Sequence, residues 1–400
     1  MGRERGERKE DKGGRRGRER VRLTLLRLFA SLTAPFLPSS ILRRPSSVLL
    51  IRPDHLGDLL FATPAIRALR AALPQAHIAC LVGPWSRAVL RNNPHLDEVM
   101  TCPFPGFTRR PKPSPLQPYS LLWRYARRLR ARRFDLAVVL RFDHWWGALL
   151  AYLAGIPRRV GYGVAEVRPF LTEAVSYVPG RHEVEQNLAL VERVVSRKLQ
   201  VASAPLEFHP SAEDGAFAEE FLAEHGIGEG DLLVCIHPGA GAPVKLWREE
   251  AWAQVGDALT RRYGAKIILT GSAGERPLCR AIARRMAAEP IVAAGETTLG
   301  GLAALMARSR LVLGVDSGPL HLAVAVGAPT VHLYGPVDSR TFGPWGDPAR
   351  HAVVTSDMDC IPCNRLDYAP EELDEHPCVR NIPAERVLEA AEGLLCSSTS

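Results

Sequence analysis

The sequence predicts an α/β protein of two Rossmann-like domains whose parallel sheets face a central cleft. Three observations carry this expectation. Short, β-branched apolar runs alternate with helical stretches along most of the 400-residue chain, the pattern of parallel strands joined by crossover helices. That length suits two or three domains. The alternation lapses once, in "SRKLQVASAPLEFHPSAEDG", which reads as a linker. The expected division is an N-terminal extension over 1–46, a first domain over 47–205 and a second over 206–400.

The bulk numbers exclude other classes. At 46% hydrophobic and 24% charged residues the chain is globular, and it holds no apolar run of about 18 residues that would span a bilayer. The eight cysteines are scattered apart from one C-terminal group, so no disulfide framework is implied and a reducing cytoplasm is the default.

The net charge of +8 is uneven. Residues 1–20 hold nine Lys/Arg against five Asp/Glu, half of the excess, with no apolar residue between Met1 and Val21; such a composition cannot build a core. "VRLTLLRLFASLTAPFLPSSILRR" follows, apolar with interspersed arginines. It fits an amphipathic helix on anionic lipid, and equally an extension without function. A signal peptide fits less well, because no small-residue cleavage site precedes the first strand. A second basic run, "WRYARRLRARRF" from Trp123 to Phe134, is either a solvated helix face or a contact for an anionic acceptor or lipid phosphate. No nucleic-acid motif accompanies it.

In the first half, strands are expected at Val48–Ile51, His77–Val82, Glu98–Met100 and Leu136–Leu140, interrupted by the proline-rich "CPFPGFTRRPKPSPLQP". "VLLIRPDHLGDLLFATPAIRALRAALP" opens this half. Leu59, Leu60, Ala62, Ile66, Leu69 and Leu73 recur at helical spacing after the loop. Asp58 is therefore either an N-cap or, if the helix starts at Thr63-Pro64, a loop carboxylate at the edge where open α/β sheets bind ligands.

The second half has expected strands at Leu232–Ile236, Lys266–Thr270, Ile291–Ala293, Leu311–Val315 and Thr330–Tyr334. In "CIHPGAGAPVKLWREEAW", Gly239 and Gly241 permit close backbone approach to an anion and Lys245 adds charge. The spacing is not that of a P-loop, and Trp247 and Trp252 read as packing residues. Glu275 in "LTGSAGERP" starts a helix, where an acid suits the dipole or a ribose. In "LVLGVDSGPLHLAVAVGAPTVHLYGP" a strand ends at Asp316, and Ser317-Gly318-Pro319 turns into a helix carrying His321. A cap explains Ser317 alone. It does not explain the convergence of carboxylate, hydroxyl, glycine and imidazole.

These stretches, in this order, resemble glycosyltransferase family 9, the ADP-heptose:lipopolysaccharide heptosyltransferases. The resemblance covers roughly residues 47–395 and rests on "IRPDHLGDLLFATPAIRAL", "HPGAGAPVKLW", "GVDSGPLHLA" and "LYGP". It implies a GT-B fold, acceptor on the first domain, donor on the second, and inversion at the anomeric carbon with neither metal nor cofactor. It implies Asp58 as the base, beside Gly57 on the acceptor side, and Lys245 as the catalytic phosphate ligand. Gly239, Ala240 and Gly241 would line the donor, Glu275 would meet its ribose, and Asp316, Ser317, Gly318 and His321 would hold the sugar-nucleotide. The implied partners are ADP-heptose and a lipid-linked or cell-envelope glycan. The expected place is the cytoplasm, with peripheral contact on the inner face of the membrane if the amphipathic stretch lies on lipid. Ala240 and Gly241 depart from the hydroxyl residues that several family members carry there, and the Arg-rich extension is not a family feature.

Two other functions compete. A sugar-nucleotide epimerase shares the two-domain architecture but would turn over donor without acceptor. A non-catalytic glycan- or nucleotide-binding module has no need for a base opposite a phosphate site. One cluster stays outside both: Cys360, Cys363, His376 and Cys378 in "MDCIPCNRLDYAPEELDEHPCVRNI" offer a zinc-ligand set, with reduced thiols as the expected state.

Overall fold

A computed structural model describes residues 44–108, 114, 116–199 and 204–397. The amphipathic stretch before residue 44 and part of the proline-rich loop lie outside these described residues. The first sheet contains β1 (Ser47–Arg52), β2 (His77–Val82), β3 (Glu98–Thr101), β4 (Leu136–Val139), β5 (Arg158–Tyr162) and β6 (Glu173–Val175). The second contains β7 (Leu233–His237), β8 (Lys266–Leu269), β9 (Ile291–Val292), β10 (Leu311–Val315), β11 (Thr330–Leu333) and β12 (His351–Val354).

The orders are β3-β2-β1-β4-β5-β6 and β12-β11-β10-β7-β8-β9, with parallel pairing throughout. Both sheets are thus wound alike. The first strand of each is central, and the direction of winding reverses between β1 and β4 and between β7 and β10. Ligands of such sheets bind beyond the carboxyl ends of the strands at these reversals.

Alternate residues of each central strand serve different cores, as the two-residue period of a strand requires. Val48 and Leu50 enter one apolar cluster, and Leu49 and Ile51 enter another on the opposite face of the first sheet. In the second sheet, Cys235 and Val312 join the first of these clusters, while Val234, Ile236, Leu311 and Leu313 belong to a third. One cluster therefore runs through both halves, from Val48 to Leu320 and Leu322. Trp247 and Trp252 are buried packing residues, as expected.

Three strands escaped the sequence reading, and each has a physical reason. β6 and β12 are short edge strands with mixed exposure. β5 opens with two arginines. Arg159 is buried there because its guanidinium is absorbed by backbone oxygens, including that of Phe170 at 2.6 Å. The linker is also shorter than expected, since its last residues start helix Ala212–Glu224. Ser211 and Asp214 close a reciprocal capping box, with Asp214 N donating to Ser211 Oγ at 3.2 Å and Ser211 N to Asp214 Oδ2 at 2.9 Å. Among the described residues no helix is long and apolar enough to cross a membrane.

Candidate active site

The chain leaves β1 through a buried arginine. Arg52, Asp54 and Glu183 are each at most 5% exposed, which only a mutually neutralising arrangement permits. Arg52 Nε lies 2.7 Å from Asp54 Oδ2, and its Nη1 lies 2.9 Å from Glu183 Oε1. Nη1 also donates to Asn187 Oδ1 at 3.2 Å. Arg141, beyond β4, ion-pairs with the other oxygen of Asp54. Burial disfavours the charge on Asp54, yet Arg52 and Arg141 hold its carboxyl below the usual range.

Asp58 sits at the rim of this network. It is neither an N-cap nor a loop residue, so both expectations are corrected. It is the third residue of the short helix Leu56–Leu60, whose N-cap is His55. Burial of Leu59 and Leu60 draws this segment into a helical turn. Pro64 has no amide to give the carbonyl of Leu60. The hydroxyl of Thr63 donates to that oxygen at 2.7 Å instead, and a second helix, Thr63–Ala72, begins. Asp58 Oδ1 lies 3.8 Å from Arg52 Nη2, too far for a hydrogen bond, and the side chain keeps 33% of its exposure. Burial, then the carboxylates of Asp54 and Glu183, lift Asp58 to about 7 against the pull of Arg52 and Arg141. An acid that releases its proton near neutrality and keeps access to solvent is what a general base requires.

The second sheet supplies a different chemistry. Lys245 ends a single 3₁₀ turn, Pro243–Lys245, in the loop after β7. Its Nζ lies 2.6 Å from Asp316 Oδ2 at the end of β10. Ser317 precedes helix Gly318–Ala325 without capping it through its side chain. Its Oγ is buried with no hydrogen-bond partner among the described residues, so the capping explanation fails for Ser317 too.

Glu275 closes a box on Ser272, accepting from its amide at 2.7 Å and its hydroxyl at 2.8 Å. The same carboxylate lies over Gly239, where a Cβ would collide with it. Ala240 is half-buried and Gly241 exposed in the same loop. His237, below the loop, has Nδ1 3.1 Å from Thr270 Oγ1. Burial pushes its imidazole down to about 4, opposed by Glu275.

The two sets meet through glycine. A Cβ on Gly318 would lie 2.8 Å from Leu56 Cδ2 and 3.2 Å from Gly57 N. A Cβ on Gly57 would lie 3.0 Å from His321 Cδ2. Asp58 and Ser317 are thus the chain neighbours of two backbones in direct contact. His321 itself is buried, its ring 4.6 Å from that of Phe61. Burial pushes it down to about 3, so it is a neutral imidazole packed between the halves.

Arg52, Asp54, Arg141, Glu183 and Asn187 were missed by sequence reasoning. The signal was present in "RPD" immediately before the Gly-Asp pair, and in Glu183 and Asn187, four residues apart on one face of helix Glu183–Val195. Tyr334 was missed as well. Its hydroxyl donates to Phe342 O at 2.6 Å, and burial and Asp316 raise it well above the ordinary phenol range. The C-terminal cysteines are free, with Cys360 and Cys363 exposed and Cys378 buried. Among the described residues no three His, Cys, Asp or Glu are grouped to hold a metal ion.

The model of "Glycosyltransferase family 9 (heptosyltransferase)" matches residues 122–369, more than half of the chain. The chain belongs to glycosyltransferase family 9. It is 28% identical over 346 residues to lipopolysaccharide heptosyltransferase 3 of Escherichia coli strain K12, covering 85% of this chain and 95% of that one. A glycosyl transferase family 9 structure from Veillonella parvula superposes with a TM-score of 0.75 at 28% identity, over 88% of this chain and 98% of that chain. The E. coli ADP-heptose lps heptosyltransferase II structure gives 0.70 at 24% identity, over 88% and 100%. The fold is GT-B and the family member is a glycosyltransferase, as the resemblance implied. Lys245, Glu275 and the Asp316–His321 turn lie inside the matched family segment, whereas Asp58 lies before it.

Proposed function

We propose that the protein moves a heptose, or a related sugar, from an ADP-sugar to a lipopolysaccharide-core or other cell-envelope glycan, with inversion at the anomeric carbon. The observation that carries the reading is the Gly57–Gly318 contact. It brings the turn that carries Asp58, lifted to about 7, against the start of the helix that follows Asp316 and Ser317, and Asp316 is paired with Lys245.

In this reading residues 47–205 bind the acceptor and 206–400 the donor. An acceptor hydroxyl attacks the anomeric carbon from the face opposite the diphosphate, and its proton passes to the Asp58 carboxylate. The bond to the diphosphate breaks as the new glycosidic bond forms. Charge develops on the departing ADP, where Lys245, the Gly318 amide, the Ser317 hydroxyl and the Gly239–Gly241 loop would meet it. Glu275, fixed against Gly239, would take the ribose hydroxyls. His321 would support the turn as a neutral group. The nucleotide donor puts the reaction on the cytoplasmic side of the membrane carrying the acceptor. The named E. coli relatives support the choice of heptose and ADP.

ADP should raise the melting temperature more than UDP or GDP does, by the equivalent of about 2.7 kcal/mol at a hundredfold excess over Kd. ADP release from ADP-heptose should require a glycan acceptor. Equal stabilisation by UDP would overturn the donor, and donor turnover without acceptor would overturn the reaction class.

A further inference from the structure

Helix Gln117–Arg132 has a face that the reaction leaves unused. Leu121, Leu122, Ala126 and Leu129 form its buried stripe. Beside this stripe, Tyr119 is 64% and Trp123 60% exposed, with Leu116 at 73% just before the helix. One turn beyond Trp123 comes Arg127, flanked by Arg124 and Arg128, all exposed. The helix holds five arginines and no acidic residue. Arg132 pairs with Glu98 and Arg130 donates to Leu153 O at 2.7 Å. Arg124, Arg127 and Arg128 make no ion pair among the described residues.

Large aromatic groups in water and cations without counter-charges both fit an apolar phase lying beneath an anionic plane. Trp and Tyr favour the headgroup level of a bilayer, and arginines above them meet lipid phosphates. The position of the helix fits as well. It crosses from the carboxyl end of β3 back to the start of β4, so its first turn lies at the catalytic edge. Trp146, which follows β4, marks this by donating from Nε1 to Pro118 O at 3.4 Å.

We infer that Leu116, Tyr119, Trp123, Arg124, Arg127 and Arg128 dock the enzyme on an anionic lipid surface, beside the edge that carries Asp54 and Asp58. The advantage of docking there rests on the proposed function, since a lipid-anchored glycan would then reach the cleft without leaving its membrane. Docking itself is measurable without catalysis.

The test is co-sedimentation of the full chain with vesicles of phosphatidylglycerol in phosphatidylcholine, against phosphatidylcholine alone. Wild type, Tyr119→Ser/Trp123→Ser and Arg124→Gln/Arg127→Gln/Arg128→Gln are compared, with the ADP-induced melting shift measured on the same samples. Wild type should prefer the anionic vesicles. The arginine variant should lose about fivefold in affinity per charge. The aromatic variant should retain only binding that is abolished in about 1 M salt, where screening is nearly complete. All three should respond alike to ADP. Wild type indifferent to lipid charge, or both variants binding like wild type, would overturn the inference. So would loss of self-association with vesicle binding intact, which would put a second copy of the chain on this face. If ADP shifts no sample while vesicle binding follows the variants, the donor reading falls and the docking face stands.

Discussion

Lys245 Nζ stands 2.6 Å from Asp316 Oδ2, and the two side chains are 15% and 9% exposed. The pair joins the loops after β7 and β10, the two sides of the winding reversal in the second sheet. Removing one partner of a nearly buried pair costs more than the pair contributes, because a charge is left behind. Lys245→Ala should therefore lose on the order of 1–3 kcal/mol of stability and most of its melting response to ADP. Adding Asp316→Asn should recover stability without restoring that response. An intact ADP response in the single variant would end the phosphate assignment.

Asp58→Asn keeps the shape of the residue and removes the proton acceptor. Turnover should fall about a hundredfold or more, with the ADP response nearly unchanged. The stability effect has a definite sign. Asp58 is lifted from 3.8 to about 7 in the folded protein, so folding favours its protonated form. That contribution is present below the unfolded value and is lost as pH rises through about 7. The Asn variant should match wild type near the unfolded pKa and exceed it in melting temperature above the folded one. A lower melting temperature in alkaline buffer would contradict the burial argument.

The same group should shape the pH profile. kcat/KM should rise with pH through about 7 as Asp58 ionises. After burial, the nearest cause of that value is the charge on Asp54. Asp54→Asn should thus move the rising limb to lower pH, while its amide oxygen still accepts from Arg52. A limb that stays in place would mean that another group titrates.

Gly318→Ala tests the contact between the halves. The new Cβ would lie 2.8 Å from Leu56 Cδ2 and 3.2 Å from the amide of Gly57, an overpacking that costs about 1–3 kcal/mol. Transfer should fall by more than ADP affinity, because the base and the donor turn are forced apart. Gly57→Ala meets the His321 ring at 3.0 Å rather than a backbone, and should be the milder change. Turnover at the wild-type level in Gly318→Ala would show that the close approach is not needed.

The central strands were legible because burial on both faces writes a continuous apolar run; β2 and β10 match their predicted spans to the residue. β5, β6 and β12 were not, since edge pairing tolerates polar residues and Arg159 is satisfied by the backbone oxygens of Ile156, Pro157 and Phe170, which no side-chain pattern announces. The donor loops could be found because glycine, lysine and Asp-Ser-Gly are local signals. The network around Arg52 could not, because Arg52 and Glu183 are 131 residues apart, and a charge in a sequence reads as solvent-exposed until the fold buries it.

The apolar cluster shared by the two sheets, from Val48 to Leu322, bears on how the protein comes apart. Separating the halves would expose this common interior at once, so the two halves should unfold together. Calorimetry should show one endotherm with equal van't Hoff and calorimetric enthalpies, rather than two. A chain nicked between the halves should elute as a single particle and melt as one.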